Sequence, residues 1–170
     1  GFGRIGKKLI KKCLGFDLRV IVYDPFVTED VISSFGGKKI TNLDDGLKEA
    51  DILSLSLPLN DKTRNFISLK QMKMMKRNSI IINISRGGII NENDLNNALN
   101  NKIIYFAGID VFENEPPDLN NPLLKNKRVL LSPHAATFTK ECLENMSIET
   151  VQNIIDFFEN KIDPIKIIQL

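Results

Sequence analysis

Arg86 in a Ser-Arg-Gly-Gly turn, the carboxylates Asp110, Glu113 and Glu115, and the single histidine, His134, are the side chains best suited to chemistry. All fall at or just beyond the ends of short apolar runs. An arginine can hold a carboxylate through paired hydrogen bonds. An imidazole exchanges a hydroxyl proton near neutral pH, and a glutamate set against it favours its protonated form. Such a set suits a redox reaction on a small oxyacid. Each member also has a plainer reading. A lone histidine often serves structure, Arg86 could cap a helix or pair with a surface acid, and Glu115 could be loop decoration. One histidine and two separated cysteines, Cys13 and Cys142, provide no metal-ligand cluster. Neither G-x-S-x-G nor a Ser-His-Asp spacing is present, which leaves a serine hydrolase unsupported.

A carrier for such a redox reaction is suggested by the first six residues, Gly1-Phe2-Gly3-Arg4-Ile5-Gly6. In G-x-G-x-x-G the first glycine makes a tight turn, the second lets the backbone approach a pyrophosphate, and the third lets helix and sheet pack closely. A helix does follow, with Ile5, Leu9, Ile10 and Leu14 at helical spacing and Lys7, Lys8, Lys11 and Lys12 on the exposed face. The strand that normally precedes such a loop is not in the sequence, so an open position is expected beside the next strand, with a frayed glycine loop. That next strand is residues 18–24, LRVIVYD. Asp24 lies 18 residues past Gly6, near the spacing expected of an acid that binds an adenosine ribose. A carboxylate there would repel a 2′-phosphate, which favours NAD over NADP. The alternative is that Asp24 only caps the turn before Pro25.

Further elements must position these groups. Residues 28–35 read as a helix stopped by Gly36-Gly37, residues 38–41 as a short strand, and residues 43–50 as a helix. Residues 51–58 form a strand ended by Pro58, residues 68–75 a helix capped by Ser68, and residues 79–84 a nearly all-apolar central strand. A helix over 91–101, strands over 103–109 and 128–131, and a long helix over about 140–159 complete the chain. The long helix carries a stripe of Leu143, Met146, Ile148, Val151, Ile154, Ile155 and Phe158. Alternating strands and helices predict an α/β fold with a doubly wound, Rossmann-like parallel sheet, and ligands at the carboxyl ends of the strands.

The 170 residues suffice for one domain with a true core. A net charge of +2 with interspersed signs argues for neither nucleic acid nor membrane binding. No apolar run reaches the length of a membrane span. Both cysteines sit in helical patterns and read as free thiols in a reducing compartment, which points to the cytoplasm.

Residues 82–95 (INISRGGIINENDL), 107–116 (AGIDVFENEP) and 131–137 (LSPHAAT) resemble signatures of the D-isomer-specific 2-hydroxyacid dehydrogenases. The glycine loop, Tyr23-Asp24-Pro25, and Leu57-Pro58-Leu59 followed by Thr63-Arg64 match as well, in the family's order. The resemblance implies an NAD-dependent oxidoreductase acting on a small D-2-hydroxy or 2-keto acid. In it, Arg86 orients the substrate carboxylate, His134 is the acid/base, and Glu115 is its paired acid. Asp110 then lies near the nicotinamide carboxamide, and Asp24 is the ribose acid. Cofactor contacts are expected from Gly1, Gly3, Arg4, Ile5, Gly6, Asp24, Pro25, Leu57, Pro58, Thr63, Ile84, Ser85, Arg86, Asp110 and His134. Ser56 departs from the family, many members of which carry His or Asn there. The family also has a second, substrate-binding domain, largely absent here. The expected organisation is a nucleotide domain over 1–160, N-terminally truncated, and a return toward the second domain over 161–170. A homodimer is implied too. The alternative within the family is a corepressor-like module that binds NAD(H) without turnover, against which the retained Arg86, Glu115 and His134 argue.

Overall fold

In the computed structural model, residues 1–167 are described, so the last part of the expected 161–170 return, residues 168–170, lies outside them. The chain divides into two units, Gly1–His134 and the stretch from Ala135 onward. The first unit is a parallel α/β fold of the Rossmann type. In chain order it holds α1 (Arg4–Leu14), β1 (Ile21–Tyr23), α2 (Glu29–Ser34), β2 (Lys38–Ile40), α3 (Leu43–Glu49) and β3 (Ile52–Leu55). There follow α4 (Leu69–Met72), β4 (Ile80–Asn83), α5 (Glu92–Asn100), β5 (Phe106–Ile109), a 3-10 turn over Pro122–Lys125, and β6 (Val129–Leu131). The second unit contains α6 (Lys140–Phe158), whose N-cap Thr139 accepts a hydrogen bond from the Cys142 N–H. No residue of α6 is buried, so its apolar stripe is exposed.

The strands form two parallel pieces, β1–β2 and β3–β4–β5–β6. Among the described residues β1 pairs only with β2, and β3 only with β4. In the larger piece Leu55 pairs with Asn83, Asn83 with Ile109, and Ile109 with Leu131. The four strands therefore end in one row, and the residues that follow, Ser56, Ile84, Asp110 and Ser132, emerge along a single edge. Parallel strands need both faces covered. Here Leu55, Ile81, Ala107 and Ile109 pack with Ile67, Ile89, Leu95, Leu99 and Leu123 in one core. A smaller core joins Phe2 and Ile10 to Val22 and Ile32. Ile5, expected on the buried stripe of α1, is 61% exposed at its first turn, and Phe2 fills the core instead. The strand expected over 103–109 begins only at Phe106, since Ile104 is drawn into the core ahead of it.

The glycine loop is tied down and not frayed. The Gly1 nitrogen donates to the Tyr23 carbonyl at 3.0 Å, and the Phe2 N–H donates to Asp24 Oδ2 at 2.7 Å. Asp24 Oδ1 accepts the Phe26 N–H at 2.9 Å. Partial burial pushes the Asp24 carboxyl up, but these N–H donors outweigh it and leave the carboxyl below its ordinary value. Ionised Asp24 therefore stabilises the fold above about pH 4, and that gain disappears as pH falls through the depressed folded value. Asp24→Ala is expected to cost about 1–3 kcal/mol at pH 7 and clearly less at pH 3, read by urea unfolding of both proteins at the two pH values.

Candidate active site

The row of strand ends carries three turns. After β4, Asn83, itself 2% exposed, shapes the first of them. Its Oδ1 accepts from the Ser85 N–H at 3.1 Å and the Ser85 hydroxyl at 2.7 Å, and its Nδ2 donates to the Arg86 carbonyl at 2.9 Å. Gly87 then passes so close to the next loop that a Cβ on it would lie 1.8 Å from the Phe112 carbonyl oxygen. Only a glycine permits that approach. Gly88 follows with φ +76°, and the chain enters α5.

After β5, Asp110 is buried, and its Oδ1 accepts the Ser132 hydroxyl while its carbonyl accepts the His134 N–H at 2.8 Å. The chain then runs through Phe112 to Glu115, whose Oε1 accepts the Phe112 N–H at 3.0 Å. After β6, the Ser132-Pro133-His134 turn brings the imidazole to that glutamate, with His134 Nδ1 and Glu115 Oε2 2.8 Å apart. His134 itself holds φ +53°, a left-handed backbone unusual for a residue with a side chain. The hydrogen bond from His134, reinforced by that from the Phe112 N–H, holds the Glu115 carboxyl below the usual carboxylate range. A carboxylate accepts, so Nδ1 carries the proton in this contact. Both side chains are half-exposed, at 48% and 38%. A cleft of about 490 Å³ opens beside them, walled by Phe112, Pro116, Leu124, Leu131 and Pro133.

The expected site residues are thus distributed unevenly. Glu115 and His134 touch, and Asp110 is bound to their turn. Ser85 is fixed on Asn83, and exposed Arg86 donates from Nη1 to the Ser85 carbonyl at 2.6 Å. Among the described residues no hydrogen bond or ion pair joins Arg86 to Glu115 or His134. Glu113 pairs with Arg64 Nη1 at 3.2 Å. Thr63 closes its own loop, with its hydroxyl donating to the Pro58 carbonyl at 2.7 Å. The Asn83 network was not anticipated from the sequence. Its signal is a polar residue ending an otherwise apolar strand.

At the other end of the row the glycine loop fits a dinucleotide. A Cβ on Gly1 or Gly6 would collide with backbone, at 2.2 Å from the Ser56 carbonyl oxygen and 2.6 Å from that of Gly1. A Cβ on Gly3 would meet nothing within 4 Å. The loop is therefore closed on its protein side and open at Gly3. There the first turn of α1 presents N–H groups that have no partner within the helix, and it contains no acidic residue. Arg4 and Ile5 stand exposed in that turn, and Asp24 and Pro25 flank it.

Residues 1–136 match the family described as D-isomer specific 2-hydroxyacid dehydrogenase, NAD binding domain. The chain is 37% identical to a glyoxylate reductase of Aeropyrum pernix, over 96% of this chain and 49% of that protein. It is 40% identical to a D-3-phosphoglycerate dehydrogenase of Methanocaldococcus jannaschii, over 83% of this chain and 27% of that protein. The chain thus spans about half, or less, of the length of these relatives. Among solved structures it resembles a D-lactate dehydrogenase of Aquifex aeolicus complexed with NAD and lactic acid, at TM-score 0.83 and 28% identity. That likeness covers 95% of this chain and 52% of the other.

Two glycine substitutions separate the roles of the two turns. Gly87→Ala forces the Phe112 carbonyl aside and is expected to cost about 3 kcal/mol or more of stability. Gly3→Ala should change stability by about 1 kcal/mol at most while weakening NADH binding about tenfold or more. Thermal unfolding and NADH fluorescence titration of the two variants check both outcomes.

Proposed function

Because the chain belongs to the D-isomer specific 2-hydroxyacid dehydrogenases, over their NAD-binding domain, we propose that the whole protein interconverts a 2-keto acid and the matching D-2-hydroxy acid. The observation that carries this reading is the Glu115–His134 pair at 2.8 Å, at the β5 and β6 end of a row of strand ends whose other end, at Ser56 beyond β3, meets the glycine loop. When bound, NADH supplies the hydride for the keto carbon. Glu115 holds the imidazole by Nδ1, so that protonated His134 gives the Nε2 proton to the developing alkoxide and takes it back in the reverse direction. Arg86 turns from the Ser85 carbonyl to pair with the substrate carboxylate. The Gly1–Gly6 loop and the α1 N-terminus hold the pyrophosphate. Asp24 keeps the ribose, with Pro25, Leu57, Pro58, Thr63, Ile84, Ser85 and Asp110 along the cofactor.

On this reading residues 1–160 act as the nucleotide domain and residues 161–170 start the return to a substrate domain. The protein works as a homodimer in the cytoplasm. Both cysteines are free, as suits a reducing compartment.

The test is NADH oxidation by the whole protein with glyoxylate, hydroxypyruvate, pyruvate and phosphohydroxypyruvate. Turnover of at least one is expected, with kcat lowered about 10²–10⁴-fold in His134→Ala. NADH bound tightly with none turned over would favour a nucleotide-sensing module instead, and full activity in His134→Ala would overturn the acid/base assignment. From the charge of Asp24, NADPH should bind at least about tenfold more weakly than NADH; equal affinities in the same titration would contradict the ribose assignment.

A further inference from the structure

We infer that Glu92 is a positioning residue for the Glu115–His134 pair, acting through the loop that carries Glu115. Glu92 sits in the first turn of α5, outside the set of groups described above. Its two carboxylate oxygens are committed to the two ends of one loop. Oε1 accepts the Glu113 N–H at 2.6 Å, and Oε2 accepts from Asn121 Nδ2 at 2.6 Å. The Asn121 amide is itself oriented, since its Oδ1 accepts the Leu123 N–H at 3.0 Å. In the stretch between, the Asn120 and Asn121 N–H groups turn back on Asp118 and Glu115 reaches His134, while Glu92 ties the two ends together like a clasp.

The coupling to the reacting groups is short. The neighbouring N–H groups of Phe112 and Glu113 point to different acids, the first to Glu115 Oε1 at 3.0 Å and the second to Glu92. Fixing the Glu113 peptide therefore fixes the one before it, which orients Glu115, which in turn holds His134 Nδ1 at 2.8 Å. Arg64 reinforces the same point through the Glu113 side chain at 3.2 Å. A negative charge in the first turn of a helix is favourable in any protein, but that requirement alone would not explain both oxygens reaching across to another loop. Asp94, in the same turn, reaches out likewise and accepts the Leu69 N–H at 2.9 Å. The start of α5 therefore serves as a hub for neighbouring loops. Charge-assisted hydrogen bonds of this length are the stronger kind, and a loosened supporting group displaces the group it supports.

This inference rests on the acid/base reading of His134. Its test uses the whole protein, labelled with ¹⁵N-histidine, and compares Glu92→Ala, Glu92→Gln, Glu115→Ala and the Glu92→Ala/Glu115→Ala double variant. Imidazole ¹⁵N shifts report which ring nitrogen carries the proton, without any need for turnover. The neutral His134 ring is expected in the Nδ1–H form in the parent and to shift toward Nε2–H in both Glu92→Ala and Glu115→Ala. Glu92→Gln keeps an oxygen for the Glu113 N–H and should restore the parent tautomer. In turnover, Glu92→Ala should lower kcat about tenfold to a hundredfold with the NADH affinity unchanged within about twofold. In the double variant the Glu92 change should add less than about threefold to the loss from Glu115→Ala alone. A parent tautomer retained in Glu92→Ala, or fully additive losses, would overturn the inference. Absence of turnover in the parent would instead count against the dehydrogenase reading, with the tautomer comparison still deciding the role of Glu92.

Discussion

The site depends on one steric constraint, the contact between the Gly87 backbone and the Phe112 carbonyl. Parallel strands that end in one row bring their following turns side by side, but ordinary side chains would keep those turns apart. At Gly87 there is no side chain, and a Cβ would overlap the Phe112 oxygen. The turn bearing Arg86 and the loop bearing Glu115 are thereby locked backbone to backbone. Asn83 holds the first of them from below. The second is held by Glu92 and, through Glu115, by His134. On the proposed reading, a substrate held by both Arg86 and His134 would need that fixed spacing, because preorganised groups contribute far more to a reaction than groups that must be gathered.

The cofactor end obeys the same logic with different means. Gly1 and Gly6 press against carbonyl oxygens, so the loop cannot relax inward, while Gly3 faces open space. Asp24 is engaged from its own side. Its two oxygens accept the Phe2 and Phe26 N–H groups, which ties the loop to the end of β1. One carboxylate therefore serves both the fold and the proposed ribose contact, with lone pairs left over for a ligand. The glycine turn and the acid are separate in sequence, yet they are one hydrogen-bonded object.

Much of this was legible in the residues. The strand–helix alternation, the apolar run of β4 and the glycine signals at 1–6 and 87–88 reflect local preferences, and they led to the parallel α/β fold. The positions of Arg86, Asp110, Glu115 and His134 beyond strand ends were legible for the same reason. What could not be read were relations between distant segments. Nothing local distinguishes Glu113 from Glu115, yet one pairs with Arg64 and the other with His134. Glu92 looks like a helix-start acid, and only the fold brings it to Glu113 and Asn121. Ile5 fits the helical stripe of α1 but lies at the open mouth of the glycine loop, so the core takes Phe2 in its place. His134, at φ +53°, likewise joins two distant segments, with its N–H on the Asp110 carbonyl and its ring on Glu115.

The central claim is that the cofactor loop and the Glu115–His134 pair serve one hydride transfer. Its most direct test is isotopic. The whole protein is incubated with NADH carrying deuterium at both C4 positions of the nicotinamide and with the 2-keto acid it turns over, and the hydroxy acid is analysed by mass spectrometry and chiral chromatography. The account predicts a D-2-hydroxy acid carrying one deuterium at C2. A product without deuterium at C2, or one of the L configuration, would contradict it.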